Sequence, residues 1–415
     1  LEKIINRLIE NKKLDGKISG ITSKSYAHRA IFCAALARGE SILEIDNLSK
    51  DIEASLNVVE SLGVKISREG SKIHIEAPQE YNKKTLIDVG ESGSTLRFIL
   101  PILGALGIEA EVIRRRSLVT RTNSVYFDLF PKHGVYIKEE GEKILISGKL
   151  TNYNFELPGN ISSQFVTGLL LAAGGIGQDC TIKLTTETES KPYIDMTIDV
   201  MDKFGVKVLE DKNIYSSRGR FIGQDYIVEK DWSNALFFLG AGVEVIGLNK
   251  LSIQGDKEAL RYFNELGLEN ISENSYKFIK RNDAKEKIII DAKNIPDTIP
   301  ILSVLCGLYG KEIEVINIER LKLKESNRVE STIEMLKRLG VKVSLNENSF
   351  SFIGVGKFNS CKINSFNDHR IAMSASIAAG FTKGPIEIVD SECVEKSYRE
   401  FYKDLASLGG ENHVL

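Results

Sequence analysis

The chain has 415 residues, 42% apolar and 27% charged, with 55 Lys and Arg against 57 Asp and Glu for a net charge of −2. That length exceeds one small core and implies two domains, while the composition excludes a largely disordered chain. The near-neutral balance excludes a whole-molecule basic field of the kind nucleic acid would favour, so any anion binding must come from local clustering. Cys33, Cys180, Cys306, Cys361 and Cys393 are far apart with no CxxC, and read as buried thiols in a reducing compartment. The five histidines are equally dispersed, so no protein-held metal is expected. The longest apolar run, Ile99–Ile108, is broken by Pro101, Gly104 and Gly107 and falls short of the roughly 20 residues that span a bilayer. The opening LEKIINRLIENKK has no signal-peptide core, and a soluble cytoplasmic protein is expected.

Two pieces alternate along the chain. An apolar, Ala/Gly-rich helix opened by a polar turn is predicted at Ser23–Gly39, Glu91–Gly107, Asn160–Gly175, Asp231–Val243, Pro296–Gly310 and Asn367–Phe381. Between these copies, a helix ending in a Gly turn into an alternating strand recurs at Val58–Ile66, Phe130–Lys138, Val200–Val208, Phe263–Asn270 and Met335–Val343, with a weaker copy at Asp404–Gly410. The turn glycines are Gly63, Gly134, Gly205, Gly267, Gly340 and Gly409, roughly 60–75 residues apart. A helix end that must reverse direction favours a left-handed residue, which is glycine's role there. Strands such as Lys72–Ala77, Lys143–Gly148 and Lys287–Ala292 fit between the helices. The period is too long for a solenoid repeat, so each unit must hold two helices and several strands.

Helices this apolar must be buried on most sides. Capping accounts for one Ser or Asp at each start, but not for Lys24 with Arg29, for Arg97, or for Asp368-His369-Arg370. Charged starts of buried helices point to a shared anionic ligand, because helix N-termini carry unpaired N–H groups and partial positive charge. The densest case is LKLKESNR at Leu321–Arg328. Lys324 and Arg328 are expected to share the first turn of the following helix, with Glu325 beside them.

In this order, SKSYAHRA, ESGSTLR, ISSQF, SKPYID, Pro296-Asp297, LKLKESNR and NDHRIAM resemble the 5-enolpyruvylshikimate-3-phosphate synthase (3-phosphoshikimate 1-carboxyvinyltransferase) family, from about Lys17 to Lys396. The resemblance implies an α/β fold of two similar domains of inside-out α/β barrel type. Each domain is built from three βαβαββ repeats, with the active site in the interdomain cleft. It assigns residues 1–18 and 230–415 to one lobe and 19–229 to the other, with hinges near 19 and 230. The reaction it implies transfers the enolpyruvyl group of phosphoenolpyruvate to the 5-hydroxyl of shikimate 3-phosphate and releases phosphate, a step of chorismate and aromatic amino acid biosynthesis.

By the same motif match, shikimate 3-phosphate is to meet Lys24, Ser25, Arg29, Ser162, Ser163, Gln164, Ser190, Tyr193, Asp297 and Lys324. Phosphoenolpyruvate is to meet Lys24, Gly93, Arg97, Arg121, Gln164, Arg328, Arg370 and Lys396. Arginine suits both ligands because its planar fork grips carboxylate or phosphate through two parallel bonds. The chemistry needs a base for the hydroxyl and an acid for the methylene carbon; Asp297 and Glu325 are the candidates, with Lys24 assisting. His369 is the histidine expected to line the site, to titrate or only to orient. No metal or cofactor is implied, nor a nucleic-acid or membrane partner, and the protein is expected to act as a monomer.

Four places depart from the family pattern. Asn327 stands for the customary Asp, Thr122 for the Pro after Arg121, Glu91 for a frequent Asn, and the run Arg114-Arg115-Arg116 for Gly and acidic residues. Of two rivals, UDP-N-acetylglucosamine 1-carboxyvinyltransferase shares fold and second substrate. It typically carries a loop cysteine that Arg114–Arg121 lacks. A nucleic-acid-binding or RNA-end-processing protein of related units fits poorly with near-neutral charge and no interleaved aromatics.

Overall fold

In the computed structural model, which describes residues 4–415, the chain divides into two compact units. One is Leu1–Ile21 with Lys230–Leu415, the other Thr22–Glu229. The second unit is continuous in sequence. It holds three four-stranded sheets of one topology. In one, Lys84–Asp88 runs parallel to Glu109–Ile113, which pairs antiparallel with Lys143–Gly148, and Val135–Glu140 closes the far edge. In another, Asn154–Leu157, Cys180–Leu184, Ile214–Arg218 and Lys207–Asp211 repeat that order. In the remaining sheet, Glu40–Glu44, Lys72–Glu76 and Lys65–Glu69 are joined by Asp225–Ile227 from the far end of the unit.

Each parallel pair requires a crossover helix. Gly93–Leu106 and Ser163–Ile176 serve this role in the first two sheets. Both are buried along almost their whole length, which is why they read as apolar all round rather than amphipathic. The strands alternate instead: in Lys72–Glu76 the inward Ile73 and Ile75 are buried while Lys72 and Glu76 face water. These inward faces and the crossover helices share one core.

In the discontinuous unit, Lys287–Asp291, Glu312–Ile316, Ser349–Ile353 and Val343–Leu345 form the same sheet. A second joins Cys361–Asn364 and Ile386–Val389 to Arg7–Ile9 and Asn412–Val414, so both chain ends contribute. The remaining copy is reduced. Lys17–Ser19 pairs with Glu244–Ile246, and the hairpin Leu268–Asn270 with Phe278–Lys280 attaches through a bridge from Tyr276 to Val245.

The six turn glycines all take positive φ, between 76° and 97°, the conformation expected where a helix reverses into a strand. The LKLKESNR stretch differs from expectation. A 3₁₀ turn covers Glu319–Leu323, and the helix proper is Arg328–Arg338, with Asn327 as its cap accepting from the Glu330 N–H. Lys324 therefore lies in the link between two helical pieces, not in the first turn. Asn327 retains the capping function of the Asp it replaces, since either side chain offers the needed oxygen. Among the described residues, no helix is long and apolar enough to cross a membrane.

Candidate active site

The predicted site residues fall into two constellations, one in each unit. In the Thr22–Glu229 unit they sit at helix starts. Ser23 caps Lys24–Leu36, Ser92 caps Gly93–Leu106 and Ser162 caps Ser163–Ile176 through their hydroxyls. Ser190 precedes Lys191–Lys203 in the left-handed region, at φ 53°. Such a conformation costs a non-glycine residue roughly 1–2 kcal/mol, and strain of this kind gathers at functional sites.

Arg97 and Gln164 meet directly. The Arg97 guanidinium donates to Gln164 Oε1 at 2.7 Å and to the Thr122 carbonyl at 2.9 Å, and lies over the Phe165 ring. Gln164 Nε2 donates in turn to Ser94 Oγ at 2.9 Å. Gly93 and Arg121 are also together: a Cβ added at Gly93 would stand 2.8 Å from an Arg121 guanidinium nitrogen. Glycine here admits the arginine as well as any close ligand. Arg29 joins two helices, donating to Thr197 Oγ1 at 2.8 Å and to the carbonyls of Ser25 and Tyr193 at 2.6 and 2.7 Å. Burial brings its guanidinium down to about 10, so it remains a cation at neutral pH. Lys24 pairs with Asp51 at 2.8 Å. One turn on, the buried His28 ring bonds Ser55, which bonds Thr95, which bonds Ser92, each at 2.7 Å. This chain of neutral groups ties the start of the Lys24 helix to the start of the Gly93 helix.

The departures near Arg121 find partners here. Arg114 pairs with Glu139, Arg115 with Asp88, and Arg116 with Glu91 at 3.8 Å. Two unusual residues, Glu91 and Arg116, thus answer each other. The arginine run belongs to strand-edge and loop pairing, whereas Arg121 packs on Gly93.

The other constellation centres on Arg328, which is fully buried. Its Nε and one terminal nitrogen grip both Asp368 oxygens at 2.9 and 3.2 Å. The same terminal nitrogen reaches Glu325 Oε2 at 2.6 Å, and the second reaches Asp297 Oδ1 at 2.7 Å and the Pro296 carbonyl at 3.3 Å. Lys324 Nζ shares Asp297 Oδ1 at 2.9 Å, and an Arg370 nitrogen stands 3.7 Å from Asp297 Oδ2. Arg370 donates to Ser233 Oγ at 2.8 Å and Asn234 Oδ1 at 3.5 Å, so four helix starts are knitted together. Lys396 Nζ bonds the Asn367 carbonyl at 2.8 Å, and Phe366 and Asn367 are both left-handed, at φ 56° and 55°. His369 is buried with Nδ1 4.0 Å from Asp368.

Burial opposes ionisation of Asp297, but Lys324, Arg328 and Arg370 overcome it and hold its carboxyl well below the usual carboxylate range. Burial lowers Lys324, with Asp297 opposing. Burial likewise disfavours charge on Arg328, yet Asp368, Glu325 and Asp297 keep it firmly protonated. Among the described residues, no group of three or more His, Cys, Asp or Glu side chains is placed to hold a metal ion.

Sequence reasoning missed Asp51 and Asn123, which hold Lys24 and Arg97, Ser94, which holds Gln164, and Asp368 as the clasp of Arg328. Asp368 carried a signal, since it stands at a cap position directly before His-Arg. The others are separated from their partners by 26 to 70 residues, and nothing local announces them.

Solved structures share this repeat-built α/β architecture. An EPSP synthase from Acinetobacter baumannii superposes with a TM-score of 0.80 over 99% of this chain and 100% of its own, at 23% identity. The chain belongs to the EPSP synthase (3-phosphoshikimate 1-carboxyvinyltransferase) family, whose model matches residues 9–405. Among its relatives, the 3-phosphoshikimate 1-carboxyvinyltransferase of Clostridium kluyveri is 36% identical over 97% of both chains. That of Clostridium acetobutylicum is 38% identical over 96% of both.

Proposed function

We propose that the two constellations together carry the reaction of this family: transfer of the enolpyruvyl group of phosphoenolpyruvate to the 5-hydroxyl of shikimate 3-phosphate, with release of phosphate. Both substrates carry a phosphate and a carboxylate, so several negative charges must be met by cations. One ion pair near a surface contributes about 4 kcal/mol of Coulomb energy at an effective dielectric of ~20, much of it offset by desolvation. On this reading Arg97, Arg121, Arg328, Arg370 and Lys396 take phosphoenolpyruvate, with Gly93, Gln164 and Lys24. Shikimate 3-phosphate is taken by Ser162, Ser163 and Ser190 as hydroxyl donors and by Lys24, Ser25, Arg29, Gln164, Tyr193 and Lys324, with Asp297 on its hydroxyl.

Asp297 accepts the proton as the hydroxyl oxygen bonds to the central carbon of phosphoenolpyruvate, and Glu325 gives a proton to the methylene. The tetrahedral adduct then expels phosphate and returns a methyl proton as the double bond re-forms. The observation that carries the assignment is Asp297 ringed by Lys324, Arg328 and Arg370. While those cations face it, the carboxylate is a weak base. Incoming anions compete for the same cations, which raises its basicity when substrates are bound. Glu325 is freed for its part in the same way, as Arg328 turns to the incoming anion. The reading also has the enzyme act as a monomer in the cytoplasm, without nucleic acid or membrane. The near-neutral charge supports the absence of nucleic acid, and free, mostly buried cysteines support a reducing compartment.

Phosphate release from phosphoenolpyruvate tests the assignment, with shikimate 3-phosphate in one arm and UDP-N-acetylglucosamine in the other. Release is expected only with the first, and release only with the UDP-sugar would overturn the substrate. Glu325→Gln leaving turnover within a few-fold would remove Glu325 as the acid.

A further inference from the structure

Pro101 lies inside the Gly93–Leu106 helix. It has no N–H, so the carbonyl of Arg97, four residues earlier, cannot be bonded in the helical way, and the proline ring crowds that carbonyl outward. A buried carbonyl needs a donor. The Tyr126 hydroxyl supplies it at 2.7 Å. Tyr126 is fully buried, stacked on Phe130 and edge-on to Phe165. Burial raises its hydroxyl well above the ordinary tyrosine value, so it remains a donor throughout the working range. The neighbouring helix makes room for the contact. A Cβ on Gly168 would collide with the Arg97 carbonyl and stand 2.6 Å from the Tyr126 hydroxyl.

The same tyrosine fixes the other end of Arg97. Its N–H bonds the Asn123 carbonyl at 3.0 Å, while Asn123 Oδ1 and the Thr122 carbonyl accept from the Arg97 guanidinium at 3.4 and 2.9 Å. Backbone, side chain and the segment that follows Arg121 therefore close into one ring of hydrogen bonds. We infer that Tyr126 is a positioning residue for phosphoenolpyruvate recognition, replacing the helical bond that Pro101 removes and thereby setting the aim of Arg97. The inference rests on Arg97 as a phosphoenolpyruvate ligand.

The test compares Tyr126→Phe, Pro101→Ala and the double variant by steady-state kinetics with each substrate varied in turn, alongside thermal melts. Tyr126→Phe is expected to raise the KM for phosphoenolpyruvate about tenfold, which corresponds to about 1.4 kcal/mol, with the KM for shikimate 3-phosphate unchanged. Pro101→Ala restores an N–H beneath the Arg97 carbonyl, so the double variant should return to within about threefold of the parent, about 0.65 kcal/mol on the same scale. An unchanged KM in Tyr126→Phe overturns the inference. So does a variant in which both KM values and the melting point worsen together, or one that Pro101→Ala fails to rescue. Arg97→Lys, measured in parallel, separates the premise: if it leaves the KM for phosphoenolpyruvate untouched, the assignment of Arg97 falls rather than the Tyr126 contact.

Discussion

In the Thr22–Glu229 unit, Arg29 and Arg97 are gripped by hydroxyls, amides and backbone carbonyls. In the other unit, Arg328 is gripped by Asp297, Glu325 and Asp368. The repeat is the same and the helix starts are equivalent, yet the electrostatic result differs. Neutral anchors orient a guanidinium and leave its positive charge to act outward on an anion. Carboxylate anchors cancel the charge and create a second resource, acidic groups whose basicity depends on where their cations point. On the proposed reading the first half mainly binds anions, and the second adds acid–base groups to its own anion ligands. Lys24, paired with Asp51, departs from this pattern in the first half.

The sharpest way to break this contrast is Asp297→Asn. It removes the proposed proton acceptor and leaves Lys324 and Arg328 sharing a neutral oxygen, so kcat should fall about 10³–10⁴-fold, the upper part of the range for an acid–base group. A loss of only a few-fold at saturating substrates would mean that this carboxylate only orients. Next is Asp368→Asn, which leaves the buried Arg328 without its clasp. Breaking a buried pair costs about 3–5 kcal/mol, and the lower end is expected because Asn retains one acceptor. Denaturant unfolding reads it, and a change below about 1 kcal/mol would show that Asp297 and Glu325 suffice to hold the arginine. Arg97→Lys probes the neutral half. It keeps the charge but loses the fork that reaches Gln164 and Thr122, so kcat/KM for phosphoenolpyruvate should fall about tenfold to a hundredfold, the equivalent of about 1.5–3 kcal/mol for bonds to a charged group. Stability should move little, since Gln164 Oε1 and the Thr122 carbonyl, which lose the fork, are neutral acceptors.

The positions of the helix starts were legible because a capping side chain and an apolar run are local signals: Ser23 and Asp231 cap at the expected starts, and Ser92, Ser162 and Asp368 cap one or two residues after theirs. The glycine turns were legible for the same reason. The sorting of cations into two kinds was not. Arg97 and Arg328 look alike in sequence, and their difference lies in partners such as Thr122 and Asp368, 25 and 40 residues away. The partners of the run Arg114-Arg115-Arg116 were not legible for a related reason, because a charge run says nothing about which strand edges will meet it. Lys324 was placed in a helix by a four-residue spacing that a 3₁₀ turn and an Asn cap interrupt.

The smallest effect concerns acid. His28 is buried and neutral, held well below its ordinary value by burial and then by the charges of Lys24 and Arg29. Its unfolded form takes a proton near pH 6.5 while its folded form does not, so stability from this group is complete above that pH and declines as pH falls below it. Asp297 is also depressed, and its contribution is complete above about pH 4, the ordinary range of an aspartate, and lost only below it. Acidification should therefore weaken the neutral half first. Between pH 6.5 and 5.5 one such histidine removes about 1 kcal/mol. Thermal melts over that interval should show the fall in the parent and a flatter profile in His28→Asn, whose amide can still bond Ser55. Equal slopes in both would mean that the ring takes up a proton in the folded protein, and that the neutral chain through Ser55, Thr95 and Ser92 is not what aligns the two helix starts.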